Sequence, residues 1–592
     1  MNLEWVHPGL LLILGAWVLP LLKGRVKRTA MLVLPGAAMV VCWLMQPGTY
    51  GVVSFFGQEL VFGRVDRLSL VFSYVFTIMA FLGMLYALHV EDDAQHVAAL
   101  TYAGSALGVT FAGDFLSLYV FWELMAISSV LLVWLRRERT AVAAGFRYLL
   151  THVFGGLVLL AGIAIYWSQT GTLAFGDLGA LSGGVAWALI LVAFLLNAAV
   201  PPLNAWLADA YPEATVTGAV FMTAFTTKSA VYVLIRGFAG TELLMWLGAV
   251  MAIYGVVYAV LENDARRLLA YHIISQVGYM VCGVGIGTAL ALNGATAHAF
   301  AHILYKALLF MGAGAVLHTT GLRKLSDMGG LYRTMPLTLG LYMIGAFAIS
   351  AVPLFSGFVS KSMVVSAAGE VHSASIFLML SLASAGTFLH TGLKLPYYMF
   401  FGRNPQPKDA VHGREPPRNM LAAMALAAAA CILIGVFPGL LYRFLPNPVS
   451  YAPYNLTHIT STLGMLGFTA LGFFLLLKHL DPERKLSLDT DWFFRRGATG
   501  FLALVQGPLK RFESDFVGEI YEFVIRRPVL SVARLLRGID SIIVDGILVR
   551  AGSSIKTLSG MLRTLASGHA QHYGLIMAAG ILVLLALALL AS

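Results

Sequence analysis

Charge is what this 592-residue chain has least of. Only 11% of its residues are charged against 59% hydrophobic, and its mean hydropathy is +0.81. A soluble domain carries about twice that share of charge. Cysteine is nearly absent. Cys42, Cys282 and Cys431 lie far apart, each in an apolar run, too few and too scattered for a metal or iron–sulfur site. No glycine-rich phosphate loop and no dinucleotide fingerprint occurs, so the expectation is no cofactor and no metal. A cleavable leader is not expected either. The first apolar run starts near His7 and is followed, not preceded, by its basic cluster. The net charge of +10 does not point to nucleic acid, because most basic residues sit in short loops between apolar runs.

What is there is apolar sequence, in runs of about 20 residues from end to end. This predicts an all-α polytopic membrane protein with about sixteen spanning helices. The predicted spans are Gly9–Leu22, Met31–Met45, Leu68–His89, Val97–Phe111, Leu116–Leu135, Val142–Trp167, Ala186–Ala208 and Val216–Ile235. They continue as Leu243–Leu261, Leu268–Ile286, Ala295–His318, Leu337–Val365, Ile376–Phe401, Leu421–Leu441, Ile459–Lys478 and Ile576–Ala591. Gly48 to Asp66 reads as a polar loop. Loops after odd-numbered helices hold Lys23, Arg25, Lys27 and Arg28, then Arg136, Arg137 and Arg139, then Arg266 and Arg267. They go on with Arg323, Lys324 and Arg333, then Arg403, Lys408, Arg414 and Arg418. Loops after even-numbered helices hold only Arg64, Arg67, Arg236 and Arg443. That bias puts the first set in the cytoplasm and the N-terminus outside. The 60 glycines are spread through the helices, as close helix packing in membranes favours.

Two predicted helices are interrupted, the seventh at Pro201-Pro202 and the twelfth at Pro353. Proline in a span frees carbonyls that protein or water must satisfy. Grouped as four to eight and nine to thirteen, each broken helix takes fourth place in a set of five. Such paired interruptions point to an inverted-repeat transporter. The expected divisions are 1–96 (helices one to three), 97–237 and 238–402 (the two inverted repeats) and 403–480 (helices fourteen and fifteen). Residues 481–570 mix apolar residues with many arginines and read as a lateral amphipathic segment, along the membrane surface or neighbouring subunits. Residues 571–592 carry the last helix.

The eleventh helix carries His298, His302 and Lys306 at i, i+4 and i+8, one stripe of ionisable groups. Such groups are costly in hydrocarbon, so the stripe should face protein or water. Imidazole titrates near neutral pH and a desolvated lysine can be brought toward it, so the row suits proton transfer; its bland alternative is a polar packing seam. Glu123 lies inside the fifth helix, where the bland alternative is an interfacial carboxylate held by Arg136. Lys228 lies mid-helix beside Thr226 and Thr227. Lys361 follows the second break. His272, Gln276 and Tyr279 form a stripe on the tenth helix, and His390 and Lys394 another on the thirteenth; both serve as well for packing or snorkelling as for a path.

The segments VFWELMAISSVLLVW, PPLNAWLADAYPEATVTGAVF, RLLAYHIISQVGYM, HAFAHILYKALLFMGAG and PLFSGFVSKSMVV carry a resemblance. The chain resembles the antiporter-like subunits shared by respiratory complex I, membrane-bound hydrogenases and Mrp-type cation/proton antiporters, over roughly Gly104 to Phe401. The resemblance implies fourteen core helices with inverted repeats, and a lateral segment leading to one more helix. It matches Glu123, Lys228, His298, His302, Lys306 and Lys361 to the family's proton-pathway residues. One position departs. The family's helix-seven lysine, which pairs with the helix-five glutamate, is Asn197 here. Asn197 carries no charge, so either Glu123 couples to Lys228 or the first half-channel works differently or not at all.

The resulting expectation is a proton-translocating, or cation/proton antiporting, membrane protein within a larger complex I-like or Mrp-like assembly. Its partners would be other membrane subunits, the bilayer, protons and, if it exchanges cations, Na+, with no nucleic acid. Its place would be a bacterial inner membrane. Whether it is part of an enzyme complex stays open at this point. So do three other readings: a scaffold with a decayed path, a membrane partner in inorganic-carbon uptake, and a quinone-binding redox component.

Overall fold

Inside hydrocarbon a helix satisfies its own backbone, so apolar runs of this length fold as helices. The computed structural model describes residues 5–402, 413–482, 489, 491–565 and 568–590. Arg403 and Lys408 lie outside the described residues. The chain forms two compact units, Met1–Trp492 and Phe493–Ser592. Among the described residues twelve helices are long and apolar enough to cross a membrane, and three shorter apolar helices join them.

The first unit opens with α1 (Pro8–Val18) and α2 (Gly24–Leu44). The first basic cluster is not a loop. Arg25, Lys27 and Arg28 stand in the first turns of α2, where Lys27 pairs with Asp93. The predicted loop Gly48–Asp66 is likewise structured. It is an antiparallel hairpin, β1 (Gly48–Phe55) and β2 (Gln58–Val65), turned by Phe56 and Gly57, both at positive φ. A two-residue turn of that kind matches the twist of paired strands, and the alternation around Gly57 is its sequence signal. Asp66 then starts α3 (Arg67–Tyr86) with a capping box to Ser69.

The next ten predicted helices are built as two sets. First come α4 (Asp93–Phe111), α5 (Phe115–Trp134), α6 (Arg139–Thr170), the broken α7 (Val185–Asn197) and α8 (Ala205–Ala210), then α9 (Val216–Met222) and α10 (Thr226–Gly237). The second set is α11 (Glu242–Leu261), α12 (Ala265–Ile286), α13 (Ala289–Thr320), the broken α14 (Pro336–Ile349) and α15 (Ser356–Glu370), and α16 (Ala374–Thr387). α16 continues through π-helical stretches at Phe388–Lys394 and Tyr397–Phe401.

The register between the sets is 150 residues across the first three helices. Asp114 caps α5 and bridges Ala174; Asp264 caps α12 and bridges Lys324. α6 and α13 match end to end at that offset, down to the left-handed Gly171 and Gly321 that cap them at φ 71. The sets run in opposite directions. Asp114, at the start of α5, accepts from Val61 N of the hairpin at 2.7 Å. Asp264, at the start of α12, instead sits with Arg136 from the far end of α5. Arg323 joins them, reaching Asp264 at 2.9 Å and Glu213 at 2.8 Å, while Arg136 reaches Glu213 at 3.1 Å.

After the repeats come α17 (Arg418–Val436), a single turn α18 (Gly439–Tyr442) and α19 (Leu456–Leu475). From Asp491 to Leu565 the chain is helical, alternating α and π, and an apolar helix follows at Ala570–Leu590. The arginines expected of a lateral segment lie along this helical run.

The Glu213 cluster ties three loops, after α5, α8 and α13. Burial works against the Glu213 charge, but hydrogen bonds from Arg323 and Thr140 and the Arg136 charge hold its carboxyl below the usual glutamate range. A depressed carboxyl stabilises the fold above its unfolded pKa, roughly 4.3, and that contribution is lost as pH falls through the folded value. Glu213→Gln should therefore cost about 1–3 kcal/mol at neutral pH. In thermal unfolding of the solubilised protein, the gap between the variant and the parent should close on acidification below that range; a gap independent of pH would mean that the cluster does not hold these loops.

Candidate functional site

Each helix break leaves carbonyls unpaired, and a lysine stands at two of the three breaks and at one further helix end. α14 ends at Ile349, Ala351 turns at φ 57, and Pro353 lies in the break. Lys361, one turn into α15, donates to Ile349 O at 3.0 Å. The predicted eighth helix is broken too, which its sequence does not announce. α9 stops at Met222, and Lys228 near the start of α10 donates to Thr223 O at 2.7 Å and Thr227 Oγ1 at 3.0 Å. Lys394 closes the π stretch and donates to Val260 O and Glu262 O at the end of α11, at 2.5 and 3.1 Å. These carbonyls lie at helix C-termini, where the backbone dipole favours a cation. Lys394 is thus buried on protein carbonyls rather than snorkelling to solvent.

Lys306 has a side-chain partner. Its Nζ lies 3.2 Å from His272 Nδ1 on α12. His272 Nε2 reaches Thr387 Oγ1 at 3.1 Å, and its ring meets that of His390 edge-on, centroids 4.7 Å apart. Gln276 links His272 (3.3 Å) to His298 Nε2 (3.2 Å), and His298 Nδ1 lies 3.2 Å from Ser360 Oγ. Lys228 is close enough for its charge to act on His298, His302 and Lys306. Both His302 nitrogens lack a protein partner. All of these groups are buried. The α13 stripe thus faces protein, not lipid, and the His272 and His390 stripes join it.

The first repeat is different. α7 ends at Asn197, Ala199 turns at φ 58, and the cis peptide Pro201-Pro202 follows. Among the described residues no lysine caps this break; Trp206 Nε1 donates to Leu196 O at 3.0 Å. Asn197 Oδ1 lies 3.0 Å from Nδ1 of His152 on α6, a residue that sequence reasoning passed over. The His152 ring is packed between Tyr148 and Trp206, centroids at 4.2 and 4.6 Å. Tyr148 Oη bonds Ser129 at 2.8 Å, and the Thr226 hydroxyl lies 2.6 Å from that of Tyr102. Glu123 sits apart from both expected partners. Its Oε1 has no hydrogen bond, Arg136 is engaged by Glu138 and Glu213, and Lys228 ends on Thr223 and Thr227. No direct hydrogen bond or ion pair joins Glu123 to Lys228. The broken backbone beside Lys228 supplies what a carboxylate would have.

Residues 112–388 match the NADH:quinone oxidoreductase/Mrp antiporter transmembrane family. A Na(+)/H(+) antiporter subunit of Alkalihalophilus pseudofirmus is 33% identical over 344 residues, 55% of this chain and 69% of that one. The chain belongs to this family. It is an antiporter-like integral membrane subunit. A probable K(+)/H(+) antiporter subunit of Rhizobium meliloti is 32% identical over 453 residues, 70% of this chain but 45% of that protein, so the chain spans under half its length. A chain of the membrane-bound sulfane sulfur reductase, an archaeal respiratory membrane complex, superposes with a TM-score of 0.68 at 22% identity. That superposition covers 98% of this chain and 99% of the other, and shows the shared fold.

The family match takes in Glu123, Asn197, Lys228, His272, His298, His302, Lys306 and Lys361, and stops short of His390 and Lys394. Since Glu123 and Lys228 share no partner, their effects should be independent. The thermal stability lost in the double variant Glu123→Gln, Lys228→Met should equal the sum of the singles to within about 0.5 kcal/mol. A larger coupling energy would restore the direct pair.

Proposed function

We propose that this protein carries protons, alone or in exchange for a cation, across a bacterial inner membrane, as one membrane subunit of a multisubunit assembly. The observation that carries this reading is the series of buried ionisable groups: Lys228, His302, His298, Lys306, His272, His390 and Lys394, with Lys361 set on the second break. A buried charge without function is costly and rare in a span. Here eight such groups adjoin one another while most of the surrounding surface is apolar. In this path a proton enters beside Lys228, moves by way of the α13 histidines to Lys306 and His272, and leaves near Lys361. Nothing in the chain suggests an energy source of its own, so the drive is supplied by partner subunits. The N-terminus lies outside in this reading, because Arg136, Arg323 and Arg266 in the first turn of α12 gather around residues 211–215 and follow the inside-positive bias.

The test is at Lys306, which ends the α13 stripe. Lys306→Ala should abolish proton uptake into vesicles holding the whole assembly while the protein still accumulates in the membrane. Lys306→Arg keeps the charge but does not release its proton, and should fail as well. Parental uptake in both variants would leave only a polar packing seam. The lateral segment has a different role in this reading, that of a clamp on neighbouring subunits. Removal of residues 481–592 should release partners from the purified assembly; an unchanged subunit composition would contradict it.

A further inference from the structure

The 150-residue register sets α6 against α13 position by position. Tyr148 matches His298, His152 matches His302, and Gly156 matches Lys306. The first repeat therefore keeps a histidine at the centre of the stripe and has no side chain where the second has its lysine. That space is occupied. Glu123, from α5, lays its carboxyl against Gly156, and even a methyl group there would collide with Oε1. Gly156 is four residues, one helical turn or roughly 6 Å, beyond His152 on the same face.

Two buried polar atoms on this side of α6 have no protein partner, Glu123 Oε1 against Gly156 and Nε2 of His152 one turn earlier. His152 is 2% exposed. Its other nitrogen is fixed by Asn197 and its ring by Tyr148 and Trp206, so Nε2 is the atom left to exchange a proton. An orphaned buried acceptor and an orphaned ring nitrogen one helical turn apart are each expensive unless something joins them.

We propose that Glu123 and His152 form the proton-exchanging pair of the first repeat, with Asn197 as the residue that positions the imidazole. One proton is exchanged between the carboxyl and Nε2 through bridging water, since neither Oε1 nor Nε2 has a hydrogen-bond partner in the protein. The net transfer changes no other bond. Asn197 then is not a lost lysine but a holder for a different base. Onward passage runs by the Tyr148, Ser129, Thr226 and Tyr102 hydroxyls toward Lys228. This inference rests on the reading of the chain as a proton carrier, and its test separates the two.

The assembly is reconstituted in vesicles, and the infrared carboxyl bands of the same samples are recorded. The Glu123 band is the one lost in Glu123→Gln. His152→Gln should shift that band, and Gly156→Ala, a small change that moves the carboxyl without touching the ring, should shift it as well. Proton uptake should fall about tenfold or more in Glu123→Gln and in His152→Gln, and the double variant should be no slower than the slower single. A Glu123 band unmoved by both His152→Gln and Gly156→Ala overturns the pair whatever the transport rates. So does parental uptake in His152→Gln while Lys306→Ala is inactive. If the parent itself moves no protons, the proton-carrier reading fails, and the infrared arm still decides whether the two groups share a proton.

Discussion

A lysine inside a bilayer is tolerated only where protein supplies what water would have given; the cost otherwise is about 3 kcal/mol on insertion scales and more by other measures. In this chain three of four intramembrane lysines are held by backbone carbonyls at helix ends or breaks: Lys228 on Thr223, Lys361 on Ile349, and Lys394 on Val260 and Glu262. The fourth, Lys306, rests on His272. No ion pair holds any of them among the described residues. Carbonyl dipoles favour the charge without neutralising it, so the proton is not locked in place as a carboxylate would lock it. The interrupted helices are therefore part of the chemistry, and the rest of the bundle keeps the lysines at those interruptions buried.

The two halves meet this constraint in different ways. The second repeat lines its axis with His298, His302, Lys306 and His272. The first keeps one histidine, His152, and brings in a carboxylate from the neighbouring helix. The caps, bridges and helix lengths of the two halves agree at a constant register over their first three helices, while the groups they present have diverged. The scaffold constrains where an ionisable side chain can sit, and the side chain itself has been free to change. The Glu213 cluster, by joining Arg136 to Arg323 and Asp264, fastens loops inside one half to loops inside the other.

Much of this was legible in the sequence. Apolar runs of about 20 residues mark the spans, and proline at 201, 202 and 353 marks two breaks. The stripe at 298, 302 and 306 marks the axis, because helical spacing alone places those groups together. Other features were hidden for physical reasons. The break between α9 and α10 has no proline or glycine and depends on tertiary packing. The π stretch around His390 is a register shift that no residue type announces. The hairpin was read as a loop because glycine content outweighed a short alternating pattern. His152 stood alone in an apolar helix, where a lone histidine reads as packing. A signal for the repeat was present, since Ala-Val-Pro occurs at 199–201 and again at 351–353, each time with the alanine at positive φ. The pairing of Glu123 with Lys228 was inferred from position along the family pattern, and the two side chains make no direct bond.

The central claim is that the buried lysines lie in series on one conduit. It is tested most directly by proton uptake into vesicles containing the whole assembly with Lys228→Met, Lys361→Met and both. A conduit in series predicts that each single variant is as defective as the double, since blocking either end stops the same flow. Effects that multiply, or parental uptake in either single variant, would contradict it.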